Sequence, residues 1–372
     1  MKIITLPYRA EIKCQGYWDG YSSFVTNDKS VFTEDGIIVA AKKTTAADSQ
    51  CFDYRNCFLL PALIDCHIHL RMPAGKTSPA ERIKKYLASG IFAARDAGHR
   101  DGFLPVPYYP FRLLQPGYAI FKRGNYGAAI GIGAGSLKEA LQTVDMLAEK
   151  RASHIKVVAS GIFSFSRYGE TGPAFFSAFE LKQIVRRAGS HNLPVMVHAS
   201  GDEAVHRALQ AGVATIEHGY FMSGETLSAL ADCGTYWVPT LIPAAVRLTD
   251  KKLRLEHTPE ERSVISRTLA QHMELVAKGA ALGARIACGT DAGAPGVEHG
   301  KSLYREIKLL QEAGLSPLQA LRAATSTAAA ACGLKNTGSI ETGRKSCLLA
   351  VPGNPLENID VLQKPTALFL PG

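Results

Sequence analysis

From Pro61 to Asp291 the chain repeats one unit, a short apolar segment followed by an amphipathic helical pattern, and that repetition constrains its fold more than any other feature. Alternation between a period of two and a period of 3.6 calls for parallel strands covered by helices. The strand segments are ALIDCH (62–67), IFAAR (91–95), YAIF (118–121), HIKVVAS (154–160), PVMVH (194–198), ATIEH (214–218), TYWVPT (235–240) and RIACGTD (285–291). Between them lie helical stretches such as 136–150, 178–190 and 202–212, the last two closed by glycine-containing ends. Eight such strands match a (β/α)8 TIM barrel, a fold of about 250 residues. We therefore expect an α/β chain with the barrel over residues 61–335.

The 372 residues leave two ends outside that barrel. Residues 1–60 alternate short apolar runs with Gly, Asp and Asn, as in GYWDGYSSF and TEDGIIVAA, which reads as strands joined by tight turns. After Ser302 come the helices SLYREIKLLQEAG and SPLQALRAATSTAAAA, then a β-like tail, SCLLAVPG and TALFLPG. Residues 1–60 and 336–372 are expected to join in one small β-sandwich domain. GAAIGIGAGS (127–136) lacks the G-K-[ST] ending of a phosphate loop and reads as a barrel loop.

Composition narrows the function classes. No apolar run of about 18 residues and no signal-like start appear, so the chain is expected to be soluble and cytoplasmic. The eight scattered cysteines form no C-x-x-C pair and read as buried, reduced thiols. The formal charge of +9 is spread in short clusters such as Arg82/Lys84/Lys85 without an aromatic-rich basic motif, which argues against nucleic acid. The expected partner is a small-molecule substrate, with a homo-oligomer left open.

The chemistry stands at strand ends. His67 and His69 are two apart at the end of an apolar strand, so both imidazoles address one face, and in a barrel the active site lies at the C-terminal ends of the strands. An H-x-H pair alone is weak, but His198 ends the fifth strand segment, His218 the sixth and Asp291 the eighth. Each has a plainer reading: His198 as a satisfied core histidine, His218 as a partner of Glu217, Asp291 as the cap of the turn in TDAGAP. All five at equivalent positions point instead to ligands for divalent metals. Lys156 lies inside HIKVVAS, where an unpaired ammonium would cost several kcal/mol. A salt bridge or a lowered pKa would relieve it. So would reaction with carbon dioxide to a carbamate, whose two oxygens can bridge cations about 3.5–4 Å apart.

In these residues the chain resembles the amidohydrolase superfamily. The similarity runs through the D-x-H-x-H of LLPALIDCHIHL, the lysine of IKVVASG, the histidines of VMVHASG and TIEHGYF, the aspartate of ACGTDAG, and the tail GSIETGRKSCLLAVPGNPLENI. RDAG (95–98), HASGDEAVHRALQAGVATIEHGYF and WVPTL resemble the branch holding imidazolonepropionases and Xaa-Pro or Xaa-Arg/Lys dipeptidases, and Lys156 favours its two-metal dipeptidase side. The resemblance implies that His67, His69 and Asp291 bind one metal, His198 and His218 a second, and carboxylated Lys156 bridges them. Zinc is the first expectation, with manganese, iron, nickel or cobalt as alternatives. It implies further that activated water attacks an amide carbonyl, with Lys156, His218 and Asp291 forming the catalytic core and Asp291 carrying the proton to the leaving nitrogen.

Three departures from the family's pattern stand out: Ser346, Cys347 and Leu348 replace an A-D-L tail, Ala62 replaces a glycine, and GNYGAAIGIG lacks a histidine common in this branch. Substrate contacts are expected from Arg167 and Tyr168 in FSRYGETG and from Tyr220 after the sixth strand, as holders of a carboxylate or an oxyanion. The alternative for these is an ordered polar loop. Two other functions stay open: hydrolysis of cyclic amides, imidazolones or lactones, or deamination, on the same site, and a non-catalytic relative that reuses the barrel for binding.

Overall fold

The computed structural model describes residues 1–26, 28–40, 49–73, 77–105 and 108–372. Its two ends come together in one seven-stranded mixed sheet, ordered β1-β17-β16-β5-β2-β3-β4. The strands are β1 (Lys2–Thr5), β2 (Arg9–Tyr17), β3 (Ser30–Glu34), β4 (Ile37–Val39), β5 (Gln50–Pro61), β16 (Leu348–Val351) and β17 (Ala367–Leu370). β2 shows the alternation expected of a half-covered strand, with Ala10, Ile12 and Cys14 buried in a small core shared with Leu59, Leu348 and Phe369. β1 runs parallel to β17, so the last strand is held by the first. The final residue of the TEDGIIVAA run lies outside the described residues.

The intervening chain is an α/β structure with parallel sheets. One is ordered β6-β7-β8, from Leu63–Ile68, Ile91–Asp96 and Arg112–Leu114. The other is ordered β10-β9-β11-β12-β13-β14-β15. Its strands are β9 (Ala119–Lys122), β10 (Gly131–Ala134), β11 (Ile155–Val158), β12 (Val195–Ala199), β13 (Thr215–His218), β14 (Tyr236–Val238) and β15 (Arg285–Ile286). Each of β6, β7, β11, β12 and β13 is buried along its whole length, as strands covered on both faces must be. Backbone bonds from Cys66 N to Cys288 O (3.0 Å), Asp291 N to His67 O (2.7 Å) and His69 N to Ala292 O (2.7 Å) tie the 288–292 segment to β6. Gly289 permits that approach, since a Cβ there would meet His67 N at 2.9 Å.

Several local expectations are corrected. The eighth strand segment is laddered only at Arg285–Ile286, and its continuation to Asp291 hydrogen-bonds to β6 as an irregular run. The segment read as a barrel loop contains β10, paired in parallel with β9; its glycines hide the strand signal, yet Gly131 lies so close to Ala119 O that no side chain fits. Gly189 does not stop its helix, which runs over Ala178–Ser190 and ends at His191, whereas Gly212 at φ 79° does cap the helix Asp202–Ala211. SPLQALRAATSTAAAA forms two helices, Pro317–Ala323 and Ser326–Ala331, parted at Thr325, whose hydroxyl bonds back to Leu321 O at 2.7 Å. Among the described residues no helix is long and apolar enough to cross a membrane.

Candidate active site

The strand ends bring His67, His69, Lys156, His198, His218 and Asp291 to the wall of one cavity. Period-two alternation delivers His67 from β6 and His69 from just past its end, and the hydrogen bonds on their outer nitrogens fix what each presents inward. His67 donates from Nδ1 to Glu217 Oε2 (2.7 Å) and His69 from Nδ1 to Gly98 O (3.2 Å), leaving both Nε2 atoms near Asp291 Oδ1, at 3.5 and 3.2 Å. His198 is turned the other way: its Nε2 donates to Gly161 O (3.1 Å), which frees Nδ1. His218 Nδ1 is hydrogen-bonded to Thr240 Oγ1 at 2.6 Å. Ring centroids stand 5.0 Å apart for His67 and His218 and 4.5 Å for His198 and His218.

The backbone is strained at this mouth. His218, Thr240 and Asp291 adopt φ of 68°, 50° and 56°. A left-handed residue costs roughly 1–2 kcal/mol, and such strain gathers where a side chain must be aimed. In β13 the effect is visible. Strict alternation would send Glu217 and His218 to opposite faces, but the positive φ of His218 breaks the period, and both side chains reach the His67 region.

Charge is arranged around the cluster with equal care. Glu217 is fully buried and pairs with Arg95, whose Nη2 lies 2.9 Å from Oε1, and the Thr215 hydroxyl also bonds to it. Arg95 donates further to Cys66 O (2.9 Å) and Ala331 O (3.2 Å), so the ion pair is hydrogen-bonded on all sides. Asp65 accepts from Thr290 N (3.0 Å) and Thr290 Oγ1 (2.7 Å), locking the strand of the histidine pair to the segment of Asp291; burial pushes its carboxyl up to about 7. Asp96 accepts from Leu70 N and Gly98 N and shapes the turn beneath His69. Burial and the nearby Lys156 charge pull His198 down to about 4 and His67 well below the ordinary histidine value. Both imidazoles are therefore neutral near pH 7, the form that ligates metals. Burial also opposes ionisation of Asp291, but the hydrogen bond to His69 and the positive charges of His69 and Lys156 outweigh it and hold the carboxyl below its usual range.

Lys156 is 1% exposed, and its Nζ has no hydrogen-bond partner among the described residues. Burial brings its pKa down to about 8. An ammonium so placed is unsatisfied, and a neutral amine nearly so. His67, His218 and Asp291 each offer a ligand atom, all within 4.8 Å of one another. An orphaned amine beside nitrogen and oxygen donors that converge without a cation of their own is a set that fits divalent metal.

The rim differs from what the sequence led us to expect. Arg167 is 73% exposed and pairs with Glu170 at 2.7 Å, and Tyr168 packs edge-on against Phe221 beneath the Arg267 guanidinium; neither lines the cavity. Tyr220 does line it, stacked on His272 with centroids 3.9 Å apart. Sequence reasoning missed Tyr126, which faces the His198 ring at 5.6 Å from the very loop that lacks the family's histidine, and Arg247 on the helix Ile242–Thr249. An aromatic in a glycine-rich loop was the available signal for the first. The second had none, because a helix of eight residues shows no face until its neighbours are known. Glu217 was visible only as a partner of His218; it holds His67 instead.

A family model described as "Amidohydrolase family" matches residues 58–370. The ochratoxinase of Aspergillus niger is 30% identical over 288 residues, covering 76% of this chain and 57% of that protein, so the chain spans little more than half the length of that relative. The imidazolonepropionase of Sphingopyxis alaskensis is 25% identical over 382 residues, covering 89% and 88%. A solved Xaa-Pro dipeptidase with methionine bound in its active site superposes with a TM-score of 0.82 at 25% identity, over 97% of this chain and 98% of that one.

Proposed function

The chain belongs to the amidohydrolase family, and on that premise we propose that it is a metal-dependent hydrolase that cleaves an amide bond of a dipeptide or an N-acyl amino acid. The fold we propose for it is a closed (β/α)8 barrel over residues 61–335, with a small β-sandwich domain from residues 1–60 and 336–372. In this reading His67, His69 and Asp291 would hold one divalent ion, His198 and His218 a second, and Lys156, carboxylated, would bridge them. Such ions, when bound, supply Lewis acidity and an activated water.

The single observation that carries this reading is Lys156, buried without a partner where the donors converge. Only the neutral amine adds carbon dioxide, and a pKa near 8 keeps a useful fraction neutral at physiological pH. The carbamate would turn an unsatisfied cation into an anion facing ligand-ready imidazoles.

The remaining steps fall to this chain's own side chains. Asp291 accepts a proton from the attacking water and passes it to the leaving nitrogen, a task open to a carboxylate that is ionised near pH 7. Glu217 keeps the Nδ1 proton of His67 in place, and Thr240 orients His218. Burial raises the Tyr220 phenol, so it stays protonated and can donate to the oxygen that gains charge as the carbonyl is attacked. A cytoplasmic, reducing setting agrees with eight free cysteines.

Profiling the purified, metal-loaded protein against dipeptides, N-acyl amino acids and cyclic amides tests the assignment. Turnover of the first two classes is expected. Turnover confined to cyclic amides or imidazolones would shift the function to the ring-opening reading favoured by the imidazolonepropionase similarity. No turnover and no bound metal would leave only a binding role.

A further inference from the structure

Two side chains that carry a formal positive charge line the cavity, Lys156 and Arg247. Lys156 belongs to the donor cluster at the strand ends. Arg247 projects from the helix Ile242–Thr249, and nothing described so far gives its charge a use.

Its surroundings hold the guanidinium still without neutralising it. The Phe165 ring lies under it, 4.3 Å from Cζ to centroid. Its Nη1 donates to His257 Nε2 at 3.1 Å, and His257 turns its other nitrogen toward Glu261 Oε2 at 3.4 Å, so the imidazole accepts on one side and donates on the other. The helix itself is pinned at its start, where buried Glu306 accepts from Leu241 N and Ile242 N, both at 2.8 Å. Among the described residues no carboxylate oxygen comes within 4.0 Å of the Arg247 guanidinium, and the bond to His257 is its one hydrogen bond. Of five N–H donors, four are unspent. The adjoining wall is apolar, built from Phe163, Phe165, Pro243 and Pro295, which excludes water and strengthens whatever charge pair forms there. Burial lowers the guanidinium's pKa and outweighs the more distant charge of Glu256, which makes no ion pair with it, so the pocket favours a closer anion.

We infer that Arg247 anchors a free carboxylate of the substrate, and that the Phe165 stack and the His257 bond hold its fork ready for that group. This rests on the amide-hydrolase reading above and names the residue that would take the acid its proposed substrates, dipeptides and N-acyl amino acids, carry. A planar guanidinium facing a planar carboxylate makes two parallel bonds, a geometry a lysine in its place would not reproduce.

The test compares N-benzoylglycine with its carboxamide, N-benzoylglycinamide, two ligands that differ at the group assigned to Arg247. Their affinities for the metal-loaded protein are measured by calorimetry, and benzoate release from each is followed separately. The native chain is expected to prefer the acid by about tenfold to a hundredfold, the usual worth of a hydrogen bond to a charged group. Arg247→Met is expected to bind the two about equally, through loss of affinity for the acid alone. Arg247→Gln, which keeps a donor toward His257 without the charge, should lose the preference in the same way, and it decides the question should the methionine variant fail to fold. Either variant retaining the native preference, or a native chain that binds both ligands equally, overturns the assignment. Preference for the acid with no benzoate release from either ligand supports the anchor and counts against amide hydrolysis, so the two failures are told apart.

Discussion

At the strand ends the cavity imidazoles have buried partners, His67 in Glu217 and His218 in Thr240, and the segment of Asp291 is tied to Asp65 through Thr290, while Lys156 Nζ has no partner among the described residues. In the loop after β11, eleven residues beyond Lys156, Arg167 is 73% exposed and pairs with Glu170 three positions on. The two regions border one cavity under different rules. Geometry at the strand ends is set by strands that cannot slip without turning a buried face outward, and its electrostatics act where water is scarce. The loop is free to vary, and its ion pairs are worth little. Arg247 stands between the two, a cavity residue held by an aromatic ring and a histidine on a helix that buried Glu306 fixes.

Substitutions should divide along the same line. Asp291→Asn is expected to lower turnover by on the order of a hundredfold to ten-thousandfold, the worth of general acid/base catalysis, with metal content largely retained. The pH profile gives the sign. The ionised carboxylate is the proton acceptor; positive charge from His69 and Lys156 depresses its pKa, bound cations would take over that role in the metal-loaded chain, and the native rate should hold through neutrality and fall as pH drops through that low value. The asparagine variant should lack this acidic limb; a variant of near-normal rate would remove Asp291 from the proton path.

Glu217→Gln touches no substrate and still should be felt. It leaves Arg95 buried without a counter-charge, a loss of about 3–5 kcal/mol in stability. It also removes the carboxylate that fixes the His67 tautomer, which should weaken metal binding by about 10–100-fold. Denaturant unfolding and metal titration measure the two effects, and a variant matching the native chain in both would reduce the buried pair to packing. Arg167→Ala should change kcat/KM by less than about threefold, since its ion pair is exposed. A loss of a hundredfold or more would mean that the loop closes over the substrate and that strand ends and rim act together.

The same division decides how much was legible in the sequence. His67, His69, Lys156, His198, His218 and Asp291 could be named because apolar β segments announce themselves and their ends share one side of a parallel sheet. The mixed sheet of the two chain ends was also within reach, from turn-rich β segments at both termini. Glu217 entered only through the plainer reading of His218, because period-two reasoning has no access to the positive φ of His218. β10 was hidden by glycines that its closeness to β9 requires. Arg247 and Tyr126 escaped because a short helix and a glycine-rich loop carry no periodicity, and which way they face is settled by packing between segments far apart in the chain.

The role proposed for buried Lys156 is that of an anionic bridge between metals. It is tested most directly by preparing the protein with divalent metal and 13C-labelled bicarbonate, then reading metal stoichiometry by elemental analysis and the carbamate by 13C NMR. The account predicts close to two ions per chain and one labelled carbamate, both lost in Lys156→Ala and the metal partly restored by added short carboxylic acids. A stoichiometry that stays at or below one, with no carbamate signal and full metal retention in Lys156→Ala, would contradict it.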